Sequence, residues 1–91
     1  MASSRHVTLT ANVVSTVNLT TNAGSVEVLN RDGAAEVYFT TDNSTPTVEG
    51  NDTHVVPAAI GAATVADETS GQNSVVKLIA ASTAKVSVRA A

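Results

Sequence analysis

Short runs in which every second residue is apolar cover most of this chain, and they leave few folds open to it. Val7 and Leu9 alternate with Thr8 and Thr10, and Val17 and Leu19 with Thr16, Asn18 and Thr20. Val26 and Val28 interleave with Ser25, Glu27 and Leu29, and Val37 and Phe39 with Glu36, Tyr38 and Thr40. Val75, Lys77 and Ile79 share one face, with Val76 and Leu78 on the other, and Val86 and Val88 alternate with Lys85, Ser87 and Arg89. A repeat of two places alternate side chains on opposite faces of a strand, so each run reads as a strand with one buried face. Val, Ile and Thr are stiff at χ1 and fit a pleated surface better than a helix, so propensity agrees with the pattern.

Turn chemistry separates the runs. Asn22-Ala23-Gly24 and Asp32-Gly33 offer residues that tolerate positive φ, and the second predicts a hairpin. Ser70-Gly71-Gln72-Asn73 breaks the chain before a strand at 74–81. No window makes a convincing amphipathic helix. Pro57 to Ala66 comes nearest, being Ala-rich with Pro at its start. Gly61, Thr64 and Val65 favour an extended stretch or a sheet edge there instead. Val7-Thr-Leu-Thr-Ala-Asn12 is echoed by Val17-Asn-Leu-Thr-Thr-Asn22, but two copies are too few for a solenoid and read as two similar strands. The expected fold is all-β: a small sandwich or barrel of six to eight short antiparallel strands.

At 91 residues the chain is one domain, read as an N-terminal arm over 1–6 and a sandwich over 7–91. A chain this short buries only about 60% of the surface its unfolded form exposes. It has no cysteine, so neither disulfides nor thiolate zinc can staple it. Tyr38 and Phe39 are its only aromatic residues, so Val, Leu, Ile and Ala must build most of the core. A core this thin points to support from neighbouring subunits. Charged residues are 14% of the chain, against about 25% in ordinary soluble domains, and Thr, Asn and Ser take their place. An uncharged polar surface costs less to desolvate, which suits contact with another protein.

The net charge of −3 and the scattered Lys and Arg disfavour nucleic acid, whose phosphates need clustered cations. The first residues carry no apolar run, so no secretory leader is expected. The longest uncharged, mainly apolar stretch, Val55 to Ala66, is too short to span a bilayer, which takes about 20 residues. No membrane partner is expected, and the absence of cysteine agrees with synthesis in a cytoplasm.

Asp42-Asn-Ser-Thr-Pro-Thr-Val-Glu-Gly-Asn-Asp52 is long for a hairpin loop, which usually runs about 2–5 residues. Asp42 and Asn43 suit Asx turns, Pro46 holds Thr45 extended, and Gly50 relaxes the return, so the loop reads as shaped. Its oxygens invite comparison with calcium loops, but the spacing of Asp42, Asn43, Glu49, Asn51 and Asp52 matches none. The residues expected to touch a partner are Ser3, Ser4, Arg5 and His6 of the arm, with Asp42, Asn43, Thr45, Pro46, Glu49, Asn51 and Asp52 of the loop.

Catalysis has little to work with. His6 and His54 are lone histidines, and no phosphate loop, His-Glu-x-x-His or nucleophile elbow occurs. Neither an enzyme nor a bound metal or cofactor is expected.

From Ser25 to Pro57 the chain reads Ser-Val-Glu-Val-Leu-Asn-Arg-Asp-Gly-Ala-Ala-Glu-Val-Tyr-Phe-Thr-Thr-Asp-Asn-Ser-Thr-Pro-Thr, then Gly-Asn-Asp-Thr-His-Val-Val-Pro. This resembles small virion-associated proteins encoded beside the head genes of tailed phages of actinobacteria, and Val75-Val-Lys-Leu-Ile and Lys85-Val-Ser-Val-Arg fit the same likeness. The resemblance implies a capsid decoration or cement subunit, made in the host cytoplasm and bound to the outer surface of the virion head. Its partners would be the major capsid protein and further copies of itself, a trimer being one form. The alternatives are a carbohydrate- or host-surface-binding module, or a tail or neck subunit. A narrower likeness, over Val37-Tyr-Phe-Thr-Thr-Asp-Asn-Ser-Thr-Pro-Thr47, is to the immunoglobulin-like domains at the ends of chitobiases, with Asn43 where Gly is usual. It implies an immunoglobulin-like sandwich and, with no aromatic platform for a sugar ring, little sugar chemistry.

Overall fold

A computed structural model describes residues 4–69 and 73–91. Among them the alternating runs form eight strands: β1 (Ser4–Leu9), β2 (Ser15–Asn18), β3 (Ser25–Asn30), β4 (Val37–Thr40), β5 (His54–Val56), β6 (Gly61–Ala66), β7 (Val75–Ala80) and β8 (Ala84–Ala90). All pairings are antiparallel. β1 pairs with β8, β2 with β7, β3 with β6 and β4 with β5. That nesting is what a long two-stranded ribbon gives, with the loop between β4 and β5 at its tip. Rolling the ribbon adds the pairs β3–β8 and β4–β7, leaving two sheets in the orders β1-β8-β3-β6 and β2-β7-β4-β5. An eight-strand double sheet connected in this way is a jelly roll.

The two inner faces meet in one core. Leu9, Val26, Val28, Val86 and Val88 come from the first sheet, and Val17, Val37, Phe39, Val56, Val76 and Leu78 from the second. The predicted alternation is kept in β3, which buries Val26, Val28 and Asn30 while Ser25, Glu27 and Leu29 are only half-buried. β4 departs from it, with Tyr38 and Thr40 buried beside Val37 and Phe39, and so does Ser87 in β8. Phe39 is the largest fully buried side chain. Around it the core is aliphatic, with each Val or Leu worth about 1.5–3 kcal/mol of burial.

The structure refines the sequence reading in four places. The sandwich is not immunoglobulin-like, because that fold keeps its first two strands side by side in one sheet, whereas β1 and β2 lie in opposite sheets. Asp32-Gly33 does not close a hairpin. Gly33 has φ +63°, as its turn signal requires, but β3 and β4 belong to different sheets and residues 31–36 carry the chain across. The reason is Asn30. Fully buried, it donates from Nδ2 to the carbonyls of Ala35 (2.9 Å) and Pro57 (3.0 Å), and its Oδ1 accepts from Gly33 N (3.0 Å). The carboxylate of Asp32 accepts from Lys85 N at 3.1 Å, which fixes the turn against β8 instead of returning it along β3.

In the turn around Asn22 and Gly24 the left-handed residue is Thr20 (φ 55°), whose amide donates to Asn18 Oδ1 at 2.8 Å. The fourth refinement concerns the expected arm. Ser4, Arg5 and His6 are the first half of β1, in register with Arg89, Val88 and Ser87 of β8. The sheet-edge reading of Pro57 to Ala66 holds over its second half, Gly61–Ala66, while residues 57–60 bend into it: β6 is an edge strand with β3 alone beside it among the described residues.

Candidate functional site

The ribbon tip gathers most of the residues expected to touch a partner. Asp42 opens the loop. Its Oδ1 accepts from Ser44 N at 3.0 Å and from the Ser44 hydroxyl, an Asx turn of the kind the sequence foretold. Those bonds hold its carboxyl below the usual range: first the Ser44 hydroxyl, then the Ser44 amide, with the charge of His54 a smaller aid. Ser44 O accepts from the hydroxyl of Thr40 at 2.6 Å, and Asn43 O from Lys77 Nζ at 3.2 Å, so the first limb is tied to β4 and β7. On the return, Gly50 N donates to Thr47 O (2.9 Å) and the Thr53 hydroxyl to Gly50 O (2.8 Å). Asn43, Glu49 and Asp52 adopt positive φ of 69°, 57° and 61°. Asn43 does so where the chitobiase-like motif would have Gly, the substitution Asn tolerates best.

This is a shaped loop. Asn43, Thr45, Glu49, Asn51 and Asp52 are exposed on it, but Pro46 is buried, so that ring packs into the loop and is not offered to a partner. Glu49 also reaches back by its charge toward Tyr38, which lies buried on the outer face of its sheet. The Tyr38 hydroxyl donates to Glu36 Oε1 at 3.0 Å. Its pKa is raised by the loss of water around it, then by the Glu36 hydrogen bond, and by the charges of Glu36 and Glu49.

At the base of the loop lies an open cleft of about 520 Å³ lined by Thr40, Thr41, Asp42, Ser44, Asp52, Thr53, His54 and Glu68. His54 stands on β5 opposite Phe39, ring centroids 5.2 Å apart, so its imidazole forms part of the wall where the core reaches the surface. Asp42 and Asp52 meet in this cleft. The other loop residues named from the sequence do not line it. Thr40, Thr41, Thr53 and His54 lie outside the span that the loop reading covered, and Glu68 enters from the connection after β6, a convergence no local pattern reports. Carboxylates, hydroxyls and one imidazole make a site that mainly accepts hydrogen bonds, suited to the ammonium, guanidinium or amide groups of a partner surface. Among the described residues no group of three or more His, Cys, Asp or Glu is placed to hold a metal ion.

The other expected contact set lies elsewhere. β1 is an outer strand of one sheet, whereas the tip joins the last two strands of the other. Ser4 and His6 are exposed, with His6 Nδ1 2.7 Å from Ser87 Oγ. Arg5 is half-buried and donates to Thr20 Oγ1 at 3.0 Å. Ser3 lies outside the described residues. The arm and the loop therefore do not form one surface.

No family model, curated protein or solved structure compared with the chain matches it.

Proposed function

We propose that this protein is a phage virion structural subunit, a decoration or cement protein that binds the outer surface of the head lattice through its ribbon tip. The observation that carries the reading is the tip itself, a long loop held by its own hydrogen bonds while its polar side chains stand exposed. A loop already ordered in the free protein loses little conformational entropy when it docks, so its contacts convert into affinity more fully than those of a floppy segment. The low charge of the chain and its likeness over Ser25–Pro57 to virion-associated proteins support the same reading. Each bound copy would bury surface present only in the assembled shell and stabilise that shell by mass action.

The major capsid protein is the proposed partner, and the virion surface the proposed location. Catalysis has no part in this reading. Replacing residues 43–51 with a two-residue Asn-Gly turn tests it. Occupancy on particles should collapse while the domain stays folded, and unchanged occupancy would remove the tip from its assigned role.

The polar cleft favours a second reading, a carbohydrate- or host-surface-binding module, since hydroxyls and carboxylates also recognise polyols. Jelly rolls serve both in capsids and in lectins, so the architecture does not choose between the two. Glycan-array binding by the isolated protein, lost on Asp52→Ala, would favour the second.

A further inference from the structure

We propose that β6 is a self-association edge, pairing antiparallel with β6 of a second copy so that the sheet β1-β8-β3-β6 continues across a two-fold axis. This gives the self-association that the resemblance to virion-associated proteins implies a surface and a symmetry, and it does not depend on the capsid. A free strand edge presents unpaired N–H and C=O groups, and proteins usually blunt such edges with lysine, proline, a bulge or a very short strand. The other three edges are short or charged. β2 has four residues, β5 has three and is followed by Pro57, and β1 carries Arg5. β6 has six residues, Gly-Ala-Ala-Thr-Val-Ala, in unbroken register with β3, and lies in a stretch without charge from Val55 to Ala66.

The core is also unfinished at this edge. Every other strand of its sheet buries apolar side chains completely, whereas the inward residues of β6, Ala63 and Val65, are only half-buried. Ile60, just before the strand, is 75% exposed.

The occupant is a second copy because β6 has nothing with which to choose another protein. Strand addition takes affinity from the backbone and specificity from side-chain pockets, and this edge offers only small, uncharged side chains. What it does match is itself. A two-fold at Ala63 sets Ala62 against Thr64 and Gly61 against Val65 of the partner subunit, with no charge opposed to its like. The pairing stops short of Ala66, whose carbonyl already accepts from the Thr41 hydroxyl at 3.0 Å. The row of Ala63 and Val65 then continues into the second copy. Such a contact is isologous and closes at two copies, unlike the head-to-tail contact of a trimer.

The test is sedimentation velocity of the intact protein up to millimolar concentration, with amide hydrogen exchange read by NMR. A concentration-dependent dimer should appear, with β6 amides slowing as it forms. Ala62→Lys, whose side chain is exposed and faces Leu29 within its own sheet, should weaken the dimer at least about tenfold by placing charge on the edge, while Ala62→Ser should leave it intact. A monomer at every concentration would overturn the proposal, as would a dimer indifferent to Ala62→Lys or one that slows other amides instead. None of these results bears on whether the tip binds particles.

Discussion

Two polar residues carry more of this structure than their size suggests. Asn30 ends β3 with no exposed surface and three hydrogen bonds, to Ala35, Pro57 and Gly33. Asn30→Ala strips partners from buried backbone groups and should cost about 3 kcal/mol, read as a lower midpoint in urea denaturation. A loss below about 0.5 kcal/mol would mean that the network is slack. Asp42 acts at the tip, where solvent screens it, so its effect is local. Its folded pKa lies below the ordinary carboxyl value of 3.8. The ionised form therefore favours the folded loop, and the contribution is complete above the ordinary value and lost as pH falls through the lowered one. The Ser44 amide, followed by NMR against pH, should keep its bonded shift through the ordinary carboxyl range and move only below it. Asp42→Ala should give the released shift at every pH.

Strands were legible because a period of two needs only local information. The alternation in β3 foretold which side chains would be buried, and Gly61, Thr64 and Val65 foretold an edge strand over the Ala-rich segment. In β4 and β8 the alternate residues Tyr38, Thr40 and Ser87 are buried as well, because other parts of the fold cover them. Strand partners were not legible. Asp32-Gly33 carries the right conformation, with Gly33 at φ +63°, yet the polar side chain that directs the chain to the other sheet, Asn30, looks like any strand-ending Asn in sequence. The site divides in the same way. The loop's length and the Asx turn at Asp42 could be read directly, while Pro46, expected at a partner, packs inside the loop and Glu68 joins the cleft through tertiary packing alone.

The crossover gives a prediction at this scale. A Cβ on Gly33 would come within 3.1 Å of the backbone of Ala59 and Ile60. Gly33→Ala thus adds a clash to a left-handed conformation and should cost about 1–3 kcal/mol. Gly24, with open space around its Cα, should accept Ala with little change. Equal melting temperatures for the two variants would contradict the crossover geometry.

As a whole the molecule is a rolled ribbon whose aliphatic core holds one aromatic ring, that of Phe39. A domain of this length holds a net stability of roughly 5–15 kcal/mol, and Phe39→Ala should remove about 3–5 of it. That variant should melt at a markedly lower temperature than the parent protein in thermal melts followed by circular dichroism. The roll also explains why the longest loop lies where it does. Among the described strands the tip is the one connection that joins paired neighbours within a sheet, so it can lengthen without changing how the sheets meet. The central claim is that this tip fastens the protein to a phage head. A cryo-EM map of the particle tests it most directly: the account predicts density for the jelly roll on the outer face of the capsid lattice, with residues 42–52 against the major capsid protein. Particles without such density, or with this domain found on the tail or neck, would contradict it.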